Sequence, residues 1–146
     1  MTGKEIMISL YNMLGDLITL VKDNVSDFAD KKKNVREYNN EFEEGGEWNP
    51  ALPCCLIAVT GSTPVTFASD RSTIDERGNF ILYVADTCPE SKSNKALKVV
   101  DNIREAINGA DFTYSTKGYV GITESVSFIK KEKAMRVYVI TGGIIP

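Results

Sequence analysis

The sequence predicts an α+β fold: one mixed or antiparallel sheet of about four to five strands, packed with two main helices. Three features carry that expectation. An apolar stripe at helical spacing opens the chain, a nearly unbroken apolar run occupies Phe80–Ala85, and alternating apolar positions fill much of the stretch after Tyr119. With 146 residues, a single domain spanning 1–146 is expected, long enough to bury a core without metal or disulfide staples.

The elements follow in order. Thr2-Gly3-Lys4-Glu5 fits a capping box, in which the Thr2 hydroxyl accepts from the Glu5 N–H and Glu5 reaches back. Behind it, Ile6, Leu10, Met13, Leu14, Leu17, Leu20, Val21 and Val25 recur every three or four residues, which predicts a helix to about Phe28. Lys31, Lys32 and Lys33 then read as a solvated turn at the negative end of the helix dipole. Residues 37–47 hold Glu37, Glu41, Glu43, Glu44 and Glu47 without a base, so they read as a polar connection, with Trp48 at its exit. Pro53–Thr60 is a short strand closed by Gly61-Ser62, and Pro64–Ala68 is either a second strand or an irregular edge. Arg71 to Gly78 reads as a charged turn, and Phe80–Ala85 as a central strand covered on both faces.

The second helix carries Ala96, Val99, Val100, Ile103, Ala106 and Ile107 on one stripe, with Ser91 or Ser93 as N-cap and Gly109 as a left-handed C-terminal cap. Two strands close the chain, Tyr119–Ile129 and Met135–Thr141, as an antiparallel hairpin turned by Lys130-Lys131-Glu132-Lys133. Gly142 to Pro146 reads as a plain chain end.

Composition excludes several classes of function. Seventeen basic against twenty acidic residues leave a net charge of −3, which offers no attraction for duplex nucleic acid or an anionic membrane. No apolar run approaches the ~20 residues of a membrane span, and the first residues do not open like a signal peptide, so a soluble cytosolic product is expected. Histidine is absent, which removes Ser-His-Asp and Cys-His sites and the commonest zinc ligand. Cys54, Cys55 and Cys88 form neither a disulfide framework nor a C-x-x-C motif, and read as small buried apolar residues.

One constellation deserves a chemical reading. Asp86 with Glu90-Ser91-Lys92 could hold a divalent cation and activate water, as in metal-dependent nucleases. There, however, the Glu-x-Lys lies on a strand, whereas here Pro89 precedes Glu90 and the triplet opens a helix. Acids at a helix start are favoured by the dipole alone. No glycine cluster has the spacing that cradles phosphate. The residues by themselves lead to an α+β domain without catalytic, metal or cofactor site.

A resemblance goes further. The stretch Gly78–Gly109, with Asn49-Pro50-Ala51-Leu52-Pro53 leading into an apolar strand, Val84-Ala85-Asp86 ending the next, and the Ala96…Val100…Ile103…Ile107-Asn108-Gly109 helix before a closing hairpin, resembles the small tail terminator (tail completion) proteins of Mu-type contractile-tailed phages. The pattern covers about two-thirds of the chain; the Cys54-Cys55 pair and the acidic 37–47 loop lie outside it. The resemblance implies a structural protein and no enzyme: a ring of six copies that caps the tail tube, stops its growth and joins it to the head. It further implies self-association, contact with the tail tube protein and with sheath and neck or connector proteins, no sequence-specific nucleic-acid binding, no membrane and no cofactor. Its place would be the virion tail of a phage or phage-like particle assembled in the bacterial host cytoplasm. Ring contacts are heterologous, so the charged segments Glu41–Glu47, Arg71–Arg77 and Lys130–Lys133 become rim or lumen elements. The residues expected at interfaces are Glu43, Glu44, Trp48, Arg71, Asp75, Arg77, Lys130 and Lys131. The alternatives are a binding or adaptor domain, including another head–tail neck protein, and, remotely, the metal-dependent nuclease.

Overall fold

The computed structural model describes residues 9–42, 51–67, 74–87, 94–112, 118–132 and 135–145. Within these, the side chains of 64–67, 74–75, 112 and 122–132 are not part of the description. Two helices, α1 (Leu10–Asn24) and α2 (Lys95–Ile107), accompany six strands: β1 (Val35–Glu37), β2 (Cys54–Phe67), β3 (Ile74–Thr87), β4 (Asp111–Phe112), β5 (Gly118–Glu132) and β6 (Met135–Ile145). The strands form one mixed sheet in the order β1-β2-β3-β6-β5-β4. Four are long; β1 and β4 are stubs of three and two residues at the two edges. This is the α+β architecture expected from the sequence.

α1 begins later than the stripe suggests. Ser9 is its N-cap, accepting from the Asn12 N–H at 3.3 Å, while Thr2 and Glu5 lie outside the described residues. Met13, Leu17 and Val21 are fully buried at four-residue spacing, and Leu10 stays on the surface. The helix stops at Asn24, whose side chain returns to the Leu20 carbonyl at 2.8 Å, and Val25 is already extended. Two 3₁₀ turns, Ser26–Phe28 and Lys32–Asn34, then carry the chain into β1. The second is fastened to the start of β2: Asn34 donates to the Pro53 carbonyl at 2.9 Å, beside the cis Leu52–Pro53 peptide. α2 is capped by Asn94, which accepts from the Leu97 N–H at 3.0 Å and donates to the Tyr138 hydroxyl at 2.9 Å. One side chain thus starts the helix and ties it to β6. Ser91 and Ser93, the caps expected from the sequence, lie outside the described residues. Gly109 has φ +82°, the left-handed conformation expected past the helix end.

Both helices pack on one face of the sheet. Cys55 and Ile57 of β2, Phe80, Leu82 and Val84 of β3, and Ile140 and Ile144 of β6 join the buried faces of α1 and α2 in the main core. Fully burying side chains of this size contributes roughly 1.5–3 kcal/mol each, so the helix-facing layer dominates stability. The alternate residues Cys54, Leu56, Ala85 and Val137 face the other side and form a second, smaller core with Phe42. Phe80–Ala85 is therefore fully covered on the helix face, as its apolar run predicts, but on the other face only Ala85 is buried, with Ile81 and Tyr83 half-buried.

Three boundaries differ from expectation. β2 runs through Gly61-Ser62 instead of ending there, because register irregularities at Val59/Gly61 and Pro64/Thr66 absorb the glycine and the proline. The charged segment after Arg71 becomes strand from Ile74, paired with β2 from Phe67 back to Cys54. Gly142, Gly143 and Ile144 are no loose end: they are buried in β6 between Gly78–Phe80 of β3 and Val120–Gly121 of β5. Likewise Lys130–Glu132 belong to β5, opposite Met135–Val137.

The buried glycines explain how β6 fits. A Cβ on Gly142 would lie 2.6 Å from the Gly121 carbonyl oxygen and 2.8 Å from the Phe80 ring. One on Gly143 would meet the Arg77 side chain at 2.8–2.9 Å, on the opposite face. The first obstacle is backbone plus a core ring; the second is the stem of Arg77 from Cγ to Nε, which can swing aside only by giving up its hydrogen bond to Asn79. Gly142→Ala is accordingly expected to destabilise the protein by about 1–3 kcal/mol, through overpacking of the seam. Gly143→Ala should cost clearly less. Urea unfolding of the two variants checks the order, and equal effects would contradict it.

Candidate assembly surface

The side of the sheet away from the helices divides into a covered end and an open end. At the covered end the chain leaves β1, and the Tyr38 N–H donates to the Ile57 carbonyl at 2.9 Å. Residues 38–42 then fold back across the sheet as a strap. Tyr38 stacks on Tyr83 of β3 with centroids 3.8 Å apart and planes 11° from parallel, and Phe42 lies 6.2 Å from Tyr38. Asn40, at φ 63°, makes the reversal between them, a conformation asparagine tolerates better than most residues. Glu41 locks the strap: its carboxylate accepts from Arg36 Nη1 and, at 2.6 Å, from the Asn39 N–H.

Glu41 is only 8% exposed, so its place among solvated rim acids is corrected. It is an anchor, and the carboxylate is oriented inward by Arg36, five residues earlier. Burial pushes its pKa upward, but the hydrogen bonds from Arg36 and the backbone outweigh that and hold it below the ordinary value of 4.5. Cys54, beneath the strap, and Cys55, on the helix-facing side of β2, are inert. Burial raises the Cys54 thiol to about 12 and the Cys55 thiol further still, so neither forms a thiolate at neutral pH.

The open end carries linked polar side chains. Arg77 lies over Gly143 and donates from Nε to Asn79 Oδ1 at 2.9 Å; Asn79 in turn donates to Thr63 Oγ1 at 2.9 Å. This chain of side chains crosses from β3 to β2 on the helix-free face. Tyr119, 43% exposed, stands at the start of β5 near the β4 stub. A separate exposed patch lies on α1, where Tyr11 is 88% exposed beside Leu10 and Gly15.

The residues expected at interfaces fall in three places. Glu43, Glu44, Trp48 and Arg71 lie outside the described residues. Asp75 and Arg77 sit together where β3 pairs with Thr66 and Thr63 of β2, beyond the last β6 partner at Gly78. Lys130 and Lys131 pair with Val137 and Arg136, toward the opposite end of the sheet. The structure thus brings Asp75 to Arg77 and separates both from the lysines. Of the nuclease constellation, Asp86 is the next-to-last residue of β3 and accepts from the Thr87 N–H at 2.8 Å, while Glu90 and Lys92 lie outside the described residues. Among the described residues, no group of three or more acids and cysteines is placed to hold a metal ion.

The sequence reading missed the strap and β1. The available signal was the pair Tyr38 and Phe42 bracketing Glu41, in a segment otherwise read by its charge.

No family model matches the chain, and no curated protein matches it by sequence. Its structure is similar to one chain in a solved structure of the virion of a native gene transfer agent (GTA) particle. The TM-score is 0.50 at 13% identity, over 87% of this chain and 88% of that one. The likeness is one of fold. It spans nearly the full length of both chains.

Glu41 yields a prediction with a defined sign. Because its folded pKa is depressed, the stability it contributes is complete above its unfolded pKa and is lost as pH falls through the folded value. Glu41→Gln should therefore cost about 1 kcal/mol at pH 7, with the gap to the parent chain narrowing as pH falls through the depressed Glu41 pKa, below 4.5. Urea unfolding at a series of pH values measures this; a gap that persists in acid would contradict it.

Proposed function

We propose that this protein is a structural component of a phage or phage-like particle, and that it acts as a tail terminator. In this role copies of the chain form a ring, six-membered as in the family it resembles, that caps the tail tube and joins it to the neck and head. The single observation that carries the reading is the fold likeness to a chain of a gene transfer agent virion across 87% of this protein. The sequence resemblance points the same way independently, from the strand–helix–hairpin order around Gly78–Gly109.

The chemistry of the described surface is consistent with a protein that recognises other proteins through shape. Its buried titratable groups, Glu41, Cys54 and Cys55, are engaged in packing or locked in neutral form. The face away from the helices offers Thr63, Asn79 and Arg77 hydrogen-bonded to one another. Such a face supplies orientation and specificity without a reacting centre. Tail tube, sheath and neck proteins are the proposed neighbours, and the virion tail the proposed location.

Native mass by light scattering, combined with negative-stain imaging, tests this reading. A species of six copies of the 16.1 kDa chain, visible as rings, is the expected result. A stable two-fold dimer, or a strict monomer up to high concentration, would contradict it.

A further inference from the structure

The two long edges of the sheet are left largely without strand partners. β1 pairs with β2 only at Cys55–Ile57, so the outer edge of β2 from Ala58 to Phe67 has no strand beside it among the described residues. β4 pairs with β5 only at Gly118–Tyr119, and the outer edge of β5 from Gly121 to Glu132 is likewise open. Proteins protect permanently exposed edges with charge, above all lysine, and also with proline and bulges. The β2 edge reads Ala-Val-Thr-Gly-Ser-Thr-Pro-Val-Thr-Phe; Pro64 and two register irregularities interrupt it, but it contains no charged residue, in a chain that is 25% charged overall. The β5 edge from Gly121 to Ile129 carries one charge, Glu124, among Ile, Thr, Ser, Val and Phe, and the further charges Lys130, Lys131 and Glu132 are confined to its hairpin end. Both stretches are rich in residues that favour strands.

Strand directions say what fits there. β2, β3, β6 and β5 are each antiparallel to the next, so β2 and β6 run one way, β3 and β5 the other. A rotation about an axis along the strands keeps directions unchanged. It therefore sets β5 of one copy antiparallel to β2 of the next, the better-bonded of the two pairings. The stubs also fit this arrangement. β1 blocks β2 at its Cys54 end and β4 blocks β5 at its Gly118 end, and these are opposite ends of the sheet. A staggered pairing clears both, and stagger is what a sheet needs in order to curve round and close.

We propose that the protein self-associates by strand addition. The edge Ala58–Phe67 of one copy pairs antiparallel with the edge Gly121–Glu132 of a second copy, head to tail. This deepens the ring reading, on which it rests for closure, because one heterologous contact uses both edges and leaves none free. Beyond Gly78, β3 is paired only with β2 among the described residues, so Thr63–Phe67 and Ile74–Arg77 form a two-stranded arm. Two-stranded ribbons are marginal alone, and the contact would cover this one.

Hydrogen exchange read by mass spectrometry, comparing assembled and monomeric fractions, tests the pairing directly. The amides of 58–67 and 121–132 should exchange at least tenfold more slowly in the assembly, with α1 and α2 unchanged. A Thr60→Lys/Ser62→Lys variant alters two exposed positions and should fold normally by circular dichroism, yet need at least tenfold higher concentration to assemble. Rings whose new protection lies elsewhere would overturn strand pairing while leaving the ring reading intact. Open chains protected at both edges would do the reverse. A dimer protected at one edge only, a strict monomer, or a variant that assembles like the parent would each overturn the proposal.

Discussion

The structure depends on the seam between β3 and β6. Ten consecutive positions, from Gly78↔Ile144 to Thr87↔Met135, join two long hairpins, β2–β3 and β5–β6, into one sheet. Nothing local would hold the hairpins together, since each is separately continuous and α2 intervenes between them in sequence. The seam closes because Gly142 lets the Phe80 ring and the Gly121 carbonyl approach to distances that exclude a side chain. Once it is closed, Phe80, Leu82, Val84, Ile140 and Ile144 present a common apolar surface, and α1 and α2 have something to cover.

From that seam the asymmetry of the molecule follows. One face is consumed by the helices, with Asn94 tying α2 to Tyr138 and Asn102 tying it to Asp27 at 2.9 Å. The other is only partly closed, by a five-residue strap that Glu41 fastens. What remains available is an open half-face and two long edges. Among the described residues these offer backbone hydrogen-bonding groups in rows and the linked side chains of Thr63, Asn79 and Arg77. The tail terminator reading draws on the same arrangement, because a ring requires two different surfaces on each copy, and the two edges of an open sheet are necessarily different.

Much of this was legible in the sequence where local pattern and tertiary environment agree. The Ala96–Ile107 stripe and Gly109 fixed the extent of α2, since a helix with one buried face leaves a period that a single chain reveals. Phe80–Ala85 stood out as a central strand for the same reason, although Ile81 and Tyr83, on the face away from the helices, are only half-buried. The failures have a common physical origin. Gly61, Pro64 and Gly142-Gly143 are turn and terminus signals in isolation, yet each sits within a strand because a neighbour supplies what the residue lacks: β3 accommodates the irregular register of β2, and Phe80 and Arg77 fill the space above the β6 glycines. Val35–Glu37 is too short to show any period. Glu41 was counted with its acidic neighbours because charge is visible in a sequence and the partner that buries it, Arg36, is not marked as such. Among the residues expected at interfaces, Asp75 and Arg77 were placed on a turn, and the structure puts them on a strand arm.

The proposed role of this chain is to end a tail tube and join it to the rest of a particle. Electron microscopy of particles produced by the encoding host, with and without the chain's gene, is the decisive measurement. Without the chain, tubes should overrun their normal length and stay unattached to heads, and re-expressing it should restore both length and attachment. Tails of normal length joined to heads in its absence would overturn the tail terminator role.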